Sequence, residues 1–328
     1  MSSRKELELY HYMKEKRMLT LRVFINIAVD FPFKETPLEK IRESVKALAF
    51  STDYGDEWIR IGALKVLLDG GILTGTAYLR EPWGHKANKI FGVVNPDYRG
   101  IARFSADELA GLCKAGAEEG WKMTAHCTGG GAVDILLSAY EKVNRTIDVL
   151  PLRFSVIHGN FFNAESLSRF KELRIIADCQ PAWFYKDGDA MLHILGRERM
   201  HDFHPYRSLI DYGIKVSAGS DHMVKLDSKD SINPYNPWLA MYTMVTRKTE
   251  RNTVIVPEEA ISREEALRCY TINNAYSSFE ENIKGSIEPV KLADMVILED
   301  DFLNCAEERI KDIEVKMTIT GGKVVYER

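Results

Sequence analysis

RFSVIHGNFFNAESLSRFKELRIIADCQPAWF, residues 153–184, decides the fold. A β-branched apolar run at 153–158 ends in histidine and glycine. An amphipathic stretch follows at 164–172, and a second apolar run, 174–179, stops at Gln180 and Pro181. Strand, helix and strand in that order make a β-α unit. Working outward, further strand-like runs lie at 20–29, 59–67, 122–126 and 214–220, and helical patterns at 105–119, 132–144 and 238–247. Ser105 with Glu108, and Ser262 with Glu265, have capping-box spacing, the second opening a helix that runs toward Ala275. Several strand runs are nearly all apolar and stop in a polar or glycine-rich cluster. Such strands are buried on both faces of a parallel sheet, with chemistry gathered at their C-terminal ends. A closed eight-stranded barrel and an open doubly wound sheet both use these units. No GxGxxG or P-loop follows any strand, and HCTGGGA at 126–132 lacks the glycine spacing, which argues against the open sheet.

From about residue 284 the pattern changes. KGSIEPVKLADMVILEDDF at 284–302 and VKMTITGGKVVYER at 315–328 read as three or four short strands joined by turns, with a hairpin signal at Gly321–Gly322. No linker separates this β element from what precedes it, so it is expected to pack there, giving domains at 1–283 and 284–328.

The chain has 328 residues, 45% of them hydrophobic and 28% charged, with a net charge of −4, so no basic footprint points to nucleic acid or an anionic membrane. No apolar run approaches the ~18 residues of a membrane span. The charged opening, MSSRKELELYHYMKEKRM, has no signal-peptide core, and the five cysteines form no CxxC pair. Reduced thiols in a cytoplasmic protein are the expectation.

Four residues stand at strand ends in order. Lys65 lies in an apolar strand, His126 and His158 end the next two strands, and Asp221 follows the last. At one rim of a barrel they would be neighbours despite their wide sequence spacing. Imidazole and carboxylate together suit Zn²⁺ or a similar divalent ion. Each also has a plain reading. A strand-end histidine alone is more often a hydrogen-bonded structural residue, Lys65 alone a snorkelling or salt-bridged lysine, and Asp221 a helix N-cap.

Longer segments resemble the amidohydrolase superfamily, in its amidohydrolase-3 branch of YtcJ-like and N-substituted formamide deformylase-like proteins. They are KVLLDGGILTGTAYLREPW at 65–83, HCTGGGAVDILLSAYEKV at 126–143, the opening stretch at 153–184, YRSLIDYGIKVSAGSDHMV at 206–224, EEALRCYTINNAYSSFEENIKGSIEPVKLADMVILEDD at 264–301 and TITGGKVVY at 318–326. The resemblance implies a (β/α)8 TIM-type barrel, strands 3 to 8 of which are in this chain. Residues 284–328 then form the C-terminal part of a small β-sandwich. It implies one or two divalent metals, Zn²⁺ first, held by an HxH on strand 1, a carboxylated lysine on strand 4, histidines on strands 5 and 6 and an aspartate on strand 8. Lys65, His126, His158 and Asp221 fall on the last four of these positions. Asp221 would also be the catalytic base in hydrolysis of a C–N bond of an amide, formamide or cyclic amide. Asp69, Thr76, Gln180, Trp183, His222 and Arg247 are the sequence neighbours that would line the substrate pocket, and a structural role is at least as good a reading of each.

The chain departs from that pattern in having no HxH. HDFH at 201–204 sits in a helix or loop, Gly130 replaces the branch's aspartate after HxxG, and Val290 replaces the glycine of EPGKLAD. Cys127 beside His126 reads as packing, with a thiol at the metal rim as the other reading. A barrel without strands 1 and 2 has an open seam. Weak or absent activity of this chain alone is therefore expected. The alternatives are a non-catalytic fragment acting as a binding protein, half of a split hydrolase completed by a second chain, and deamination of a heterocycle on the same scaffold. A homodimer is the other partner expected.

Overall fold

A computed structural model of the chain describes residues 4–222, 229, 232 and 234–328; Met223 and Val224, which end the segment quoted at 206–224, lie outside the described residues. In chain order the elements are α1 (Arg4–Glu15), β1 (Val23–Ala28), α2 (Leu38–Lys46), β2 (Ile59–Leu67), α3 (His85–Phe91), α4 (Ala106–Glu118), β3 (Met123–Cys127), α5 (Gly130–Asn144), β4 (Ser155–His158), α6 (Ala164–Leu173), β5 (Ile176–Cys179), α7 (Pro181–Leu195), α8 (Tyr206–Asp211), β6 (Val216–Ala218), α9 (Pro237–Thr246), α10 (Arg263–Tyr270), α11 (Ile272–Ser277), β7 (Met295–Leu298), β8 (Val315–Thr320) and β9 (Lys323–Glu327).

β1 to β6 form one sheet in chain order, and the pairs from β1 to β4 are parallel. With helices at the connections, these are six successive strand units of a (β/α)8-type barrel, as the six sequence runs imply. β2 coincides with its run and β3 is shifted by one residue, while β1, β4, β5 and β6 are shorter than theirs, the flanking residues turning the chain instead of extending the ladder. Register sets the rim. Lys65 lies opposite Thr124, Leu67 opposite His126, and Cys127 opposite His158.

The contacts divide the chain into two compact units. One holds the described residues of 1–82, 99–159 and 163–177, the other those of 83–98, 160–162 and 178–328. In the first, Trp121, Tyr140 and Phe154 are fully buried between the strands and α4 to α6. The Tyr140 hydroxyl donates to the carbonyls of Met123 (3.1 Å) and Ser155 (2.9 Å), which lets a phenol sit in an apolar core without an orphaned group. The glycine-rich start of α5 also has a packing cause. A Cβ at Gly129 would run into the Tyr78 carbonyl, and one at Gly131 would meet Leu79 O at 2.8 Å. The run admits a neighbouring loop and is no phosphate cradle.

In the second unit, α11 closes β6. Asn274 accepts the Ala218 N–H (3.0 Å) and donates to the Ala218 carbonyl (2.9 Å), while Asn273 donates to the Val216 carbonyl (2.9 Å). Two side-chain amides thus occupy the outer edge of a three-residue strand as a further strand would. β7, β8 and β9 make a separate antiparallel sheet. Gly321 and Gly322 join β8 to β9 with φ of 57° and 76°, the two positive values a tight I′-type hairpin requires. The segment before β8 packs as expected, with Phe302 against Trp238 of α9 (ring centroids 5.7 Å apart). Val296, Ile297, Val324, Val325 and Tyr326 of the small sheet remain about half exposed.

Candidate metal centre

Three of the four strand-end residues lie in the first unit, on β2, β3 and β4. His126 and His158 meet edge to face, with ring centroids 4.4 Å apart. His158 is buried and has φ of 74°, followed by Gly159 at 52°. Left-handed backbone at a non-glycine costs about 1 kcal/mol or more and concentrates at functional sites. Here it turns the chain at the end of β4, where Gly159 N–H donates to the Cys127 carbonyl at 2.8 Å.

The His126 ring is held at one nitrogen. Its Nδ1 lies 3.1 Å from Asp69 Oδ1, and its Nε2 has only Thr128 Oγ1 at 3.5 Å, at the limit of a hydrogen bond. Asp69 itself is enclosed: its side chain has 0% exposure. Its carboxylate accepts three backbone N–H groups, from Thr128 (2.9 Å, Oδ1), Gly129 (2.8 Å, Oδ2) and Tyr78 (3.0 Å, Oδ2). Lys65 is half-buried, less enclosed than the apolar run around it implies, and among the described residues its ammonium has no hydrogen-bond or ion-pair partner. The Cys127 thiol is fully buried, and that burial, helped by the Asp69 charge, pushes its pKa well above the ordinary value. A neutral core thiol is the packing reading of Cys127.

The remaining sequence candidates fall in other settings. Thr76 Oγ1 is 2.7 Å from Thr74 Oγ1, and its side chain would occupy the space of any Cβ at Gly70. In the second unit Asp221 is exposed, with φ of 52° after β6. His222 stacks edge-on with Tyr235 at 4.8 Å. Trp183 is half-buried in the first turn of α7. Gln180 precedes α7, is buried, and donates to Asp178 Oδ1 (3.1 Å), while its own Oε1 has no partner. Asn160 likewise has a buried Oδ1 without a partner. Arg247 is fully buried. Its guanidinium donates to the carbonyls of His204 (2.8 Å), Phe203 (3.1 Å) and Ile255 (3.2 Å) and lies 4.1 Å from the Phe184 ring centre. Burial pulls its pKa down to about 10. Three of its five N–H groups donate to core carbonyls and the side chain is fully buried, which is the structural reading of Arg247. HDFH is a turn, as expected: His201 lies near Glu258 (3.5 Å), and His204 is buried with Nδ1 on the Tyr206 hydroxyl (2.9 Å).

The donor set fits a divalent ion in part. Among the described residues no three His, Cys, Asp or Glu side chains are gathered as a cage. Two adjacent imidazoles are, one of them presenting Nε2 while a carboxylate holds Nδ1, which is how protein-bound metals usually find their histidines. Lys65 joins such a set only as a carboxylated, anionic side chain. The partnership of Asp69 and His126 was not legible in the sequence. The two residues are far apart in the chain and only the β2–β3 register brings them together. The unsatisfied oxygens of Asn160 and Gln180 are equally tertiary.

The family model described as "Amidohydrolase family" matches residues 1–326. The chain is 31% identical over 227 residues to N-substituted formamide deformylase of Arthrobacter pascens (69% of this chain, 40% of that protein). It is 28% identical to the protein LONG AFTER FAR-RED 3 of Arabidopsis thaliana (82% and 44%) and 27% identical to the putative amidohydrolase YtcJ of Bacillus subtilis (83% and 48%). The chain thus spans less than half the length of these relatives. Its fold matches an uncharacterized metal-dependent hydrolase from Pyrococcus furiosus, with a TM-score of 0.71, 23% identity, and coverage of 92% of this chain and 55% of that one. A hydrolase from Pyrococcus horikoshii gives a TM-score of 0.73 at 20% identity, over 93% and 56%. Strand order, the histidine pair and a match over nearly all 328 residues agree: the chain belongs to the amidohydrolase family.

Proposed function

We propose that this chain carries part of the catalytic barrel of a metal-dependent hydrolase acting on a non-peptide C–N bond, that of an amide, a formamide or a cyclic amide. The observation that carries this reading is the His126–His158 pair on adjacent strands, with Asp69 on the Nδ1 of the first. His126 and His158 would hold a divalent ion, Zn²⁺ by ligand type, with Lys65 as a third ligand once its Nζ is carboxylated. Such an ion, when bound, supplies Lewis-acid polarisation of a carbonyl and acidification of water. The chain's own residues would do the rest. Asp221, exposed after β6, takes the proton from water and returns it to the leaving nitrogen. Gln180, with a buried and unpartnered Oε1, offers an acceptor to a substrate N–H. Its kinship with an N-substituted formamide deformylase supports formamides as the first substrate class to try.

The test is metal content together with turnover. Wild-type protein loaded with Zn²⁺ should retain about one equivalent after gel filtration, and Lys65→Ala and His158→Ala should each lose it. Hydrolysis of N-substituted formamides and cyclic amides, assayed with and without added Zn²⁺, should depend on the metal and fall at least tenfold in Asp221→Asn. A wild type that retains no metal, or variants that retain it equally well, would refute the assignment. Deamination of a heterocycle would need no carboxylated lysine, so mass-spectrometric detection of a CO₂ adduct on Lys65 would argue for amide hydrolysis.

A further inference from the structure

The chemistry around Asp69 goes further than a neighbour in sequence. A carboxylate is an acceptor only, with room for about four hydrogen bonds on its two oxygens. Asp69 uses all four: Thr128 N–H and the His126 ring on Oδ1, Gly129 N–H and Tyr78 N–H on Oδ2, at 2.8–3.1 Å. Three of the four donors are backbone amides whose positions are fixed by the end of β3, the start of α5 and the 76–78 loop. The carboxylate therefore cannot swing without orphaning buried N–H groups, at roughly 1–3 kcal/mol each. Its side chain has no exposed surface. It cannot reach a substrate, and the pocket-lining role expected from its place in the sequence does not describe it.

An acceptor-only partner also fixes the proton on the imidazole. Facing Asp69 Oδ1, the His126 Nδ1 must be the N–H, which leaves Nε2 as the lone-pair nitrogen. Nε2 has only the marginal Thr128 Oγ1 beside it, and the His158 ring lies 4.4 Å from the His126 ring, centroid to centroid. We propose that Asp69 is a positioning residue for His126: it selects the Nδ1–H tautomer and aims Nε2 at the metal position. The same carboxylate clamps the 76–78 loop to the start of α5. This inference rests on the metal-site reading above.

Nitrogen-15 NMR of histidine in the metal-free wild-type chain at neutral pH, with His126 assigned against His126→Gln, reads the tautomer directly and requires no variant at Asp69. The expected spectrum has His126 as the Nδ1–H form. Asp69→Asn keeps an oxygen for Nδ1 but loses the fixed charge and turns an NH₂ toward donors. It should mix the tautomers and weaken Zn²⁺ binding, measured by competition with a chromophoric chelator, about 10–100-fold. Circular dichroism reports whether that variant is folded. An Nε2–H tautomer in the wild type, or a folded Asp69→Asn with wild-type Zn²⁺ affinity, would overturn this inference and leave the metal site standing. A wild type that binds no Zn²⁺ would overturn both.

Discussion

Arg247 and Gly129 mark where single residues carry this fold. Truncating Arg247 to alanine strips three buried carbonyls of their donor and leaves a void beside Phe184. A loss of roughly 3 kcal/mol or more is expected from urea unfolding, with any effect on turnover following stability and not substrate affinity. Gly129→Ala should cost about 1–3 kcal/mol, because the new methyl must displace the Tyr78 carbonyl. That carbonyl belongs to Tyr78, whose own N–H Asp69 holds, so the same variant should weaken Zn²⁺ binding, as a chelator titration would register. At this scale the sequence is legible where residue type alone names the chemistry. His126 and His158 end strands and meet, as their positions imply. It is illegible where a residue's role is set by what folds against it. Arg247 reads equally well as pocket lining or as a structural residue, and only the fold shows it enclosed. Asp69 looks like a rim carboxylate and is interior.

Helices and strands were far easier to read than side-chain roles, because caps and periodicity are local. Both capping boxes form: Ser105 accepts from Glu108 N–H (3.3 Å), Ser262 from Glu265 N–H (3.2 Å), and each glutamate answers at the cap's own N–H. Ser105→Ala should destabilise by about 1 kcal/mol, a shift visible in the thermal midpoint. Both Glu265 carboxylate oxygens also accept from the Arg207 Nη1 at 2.8 Å, so Glu265→Gln should cost more than Glu108→Gln. The helix from Ser262 does not run unbroken to Ala275. Thr271, at φ −122° and ψ −95°, interrupts it, and α11 starts afresh so that Asn273 and Asn274 face β6. Nothing local encodes that break, since its cause is the bare edge of a neighbouring strand. Hairpin geometry at Gly321–Gly322, by contrast, was fully local, because two adjacent glycines permit two positive φ values at no steric cost.

For the molecule as a whole, two buried groups of the second unit set opposing pH slopes. Burial, with Arg247 nearby, pulls the His204 imidazole from 6.5 down to about 3. Its contribution to stability is complete above pH ~6.5 and is lost as pH falls toward 3, because only the unfolded chain takes up the proton. Burial pushes Asp187 from 3.8 up to about 7. That contribution is complete below pH ~3.8 and is lost as pH rises through 7. Each slope is at most ~1.4 kcal/mol per pH unit. Urea midpoints between pH ~4 and ~8 should show Asp187→Asn gaining on wild type as pH rises, and His204→Gln gaining as pH falls. Sequence reading reached the parallel sheet, its strand count and the family, because those rest on pattern repeated along the whole chain. It could not reach these slopes, which depend on depth within the core. One consequence of the four-donor carboxylate belongs to the molecule entire. His126 is already oriented by hydrogen bonds the protein makes for itself, so folding and metal loading should be separate events. A chelator should then strip the ion and leave the far-ultraviolet spectrum and the cooperativity of unfolding intact, with Zn²⁺ re-entering a seat that needs no refolding to receive it.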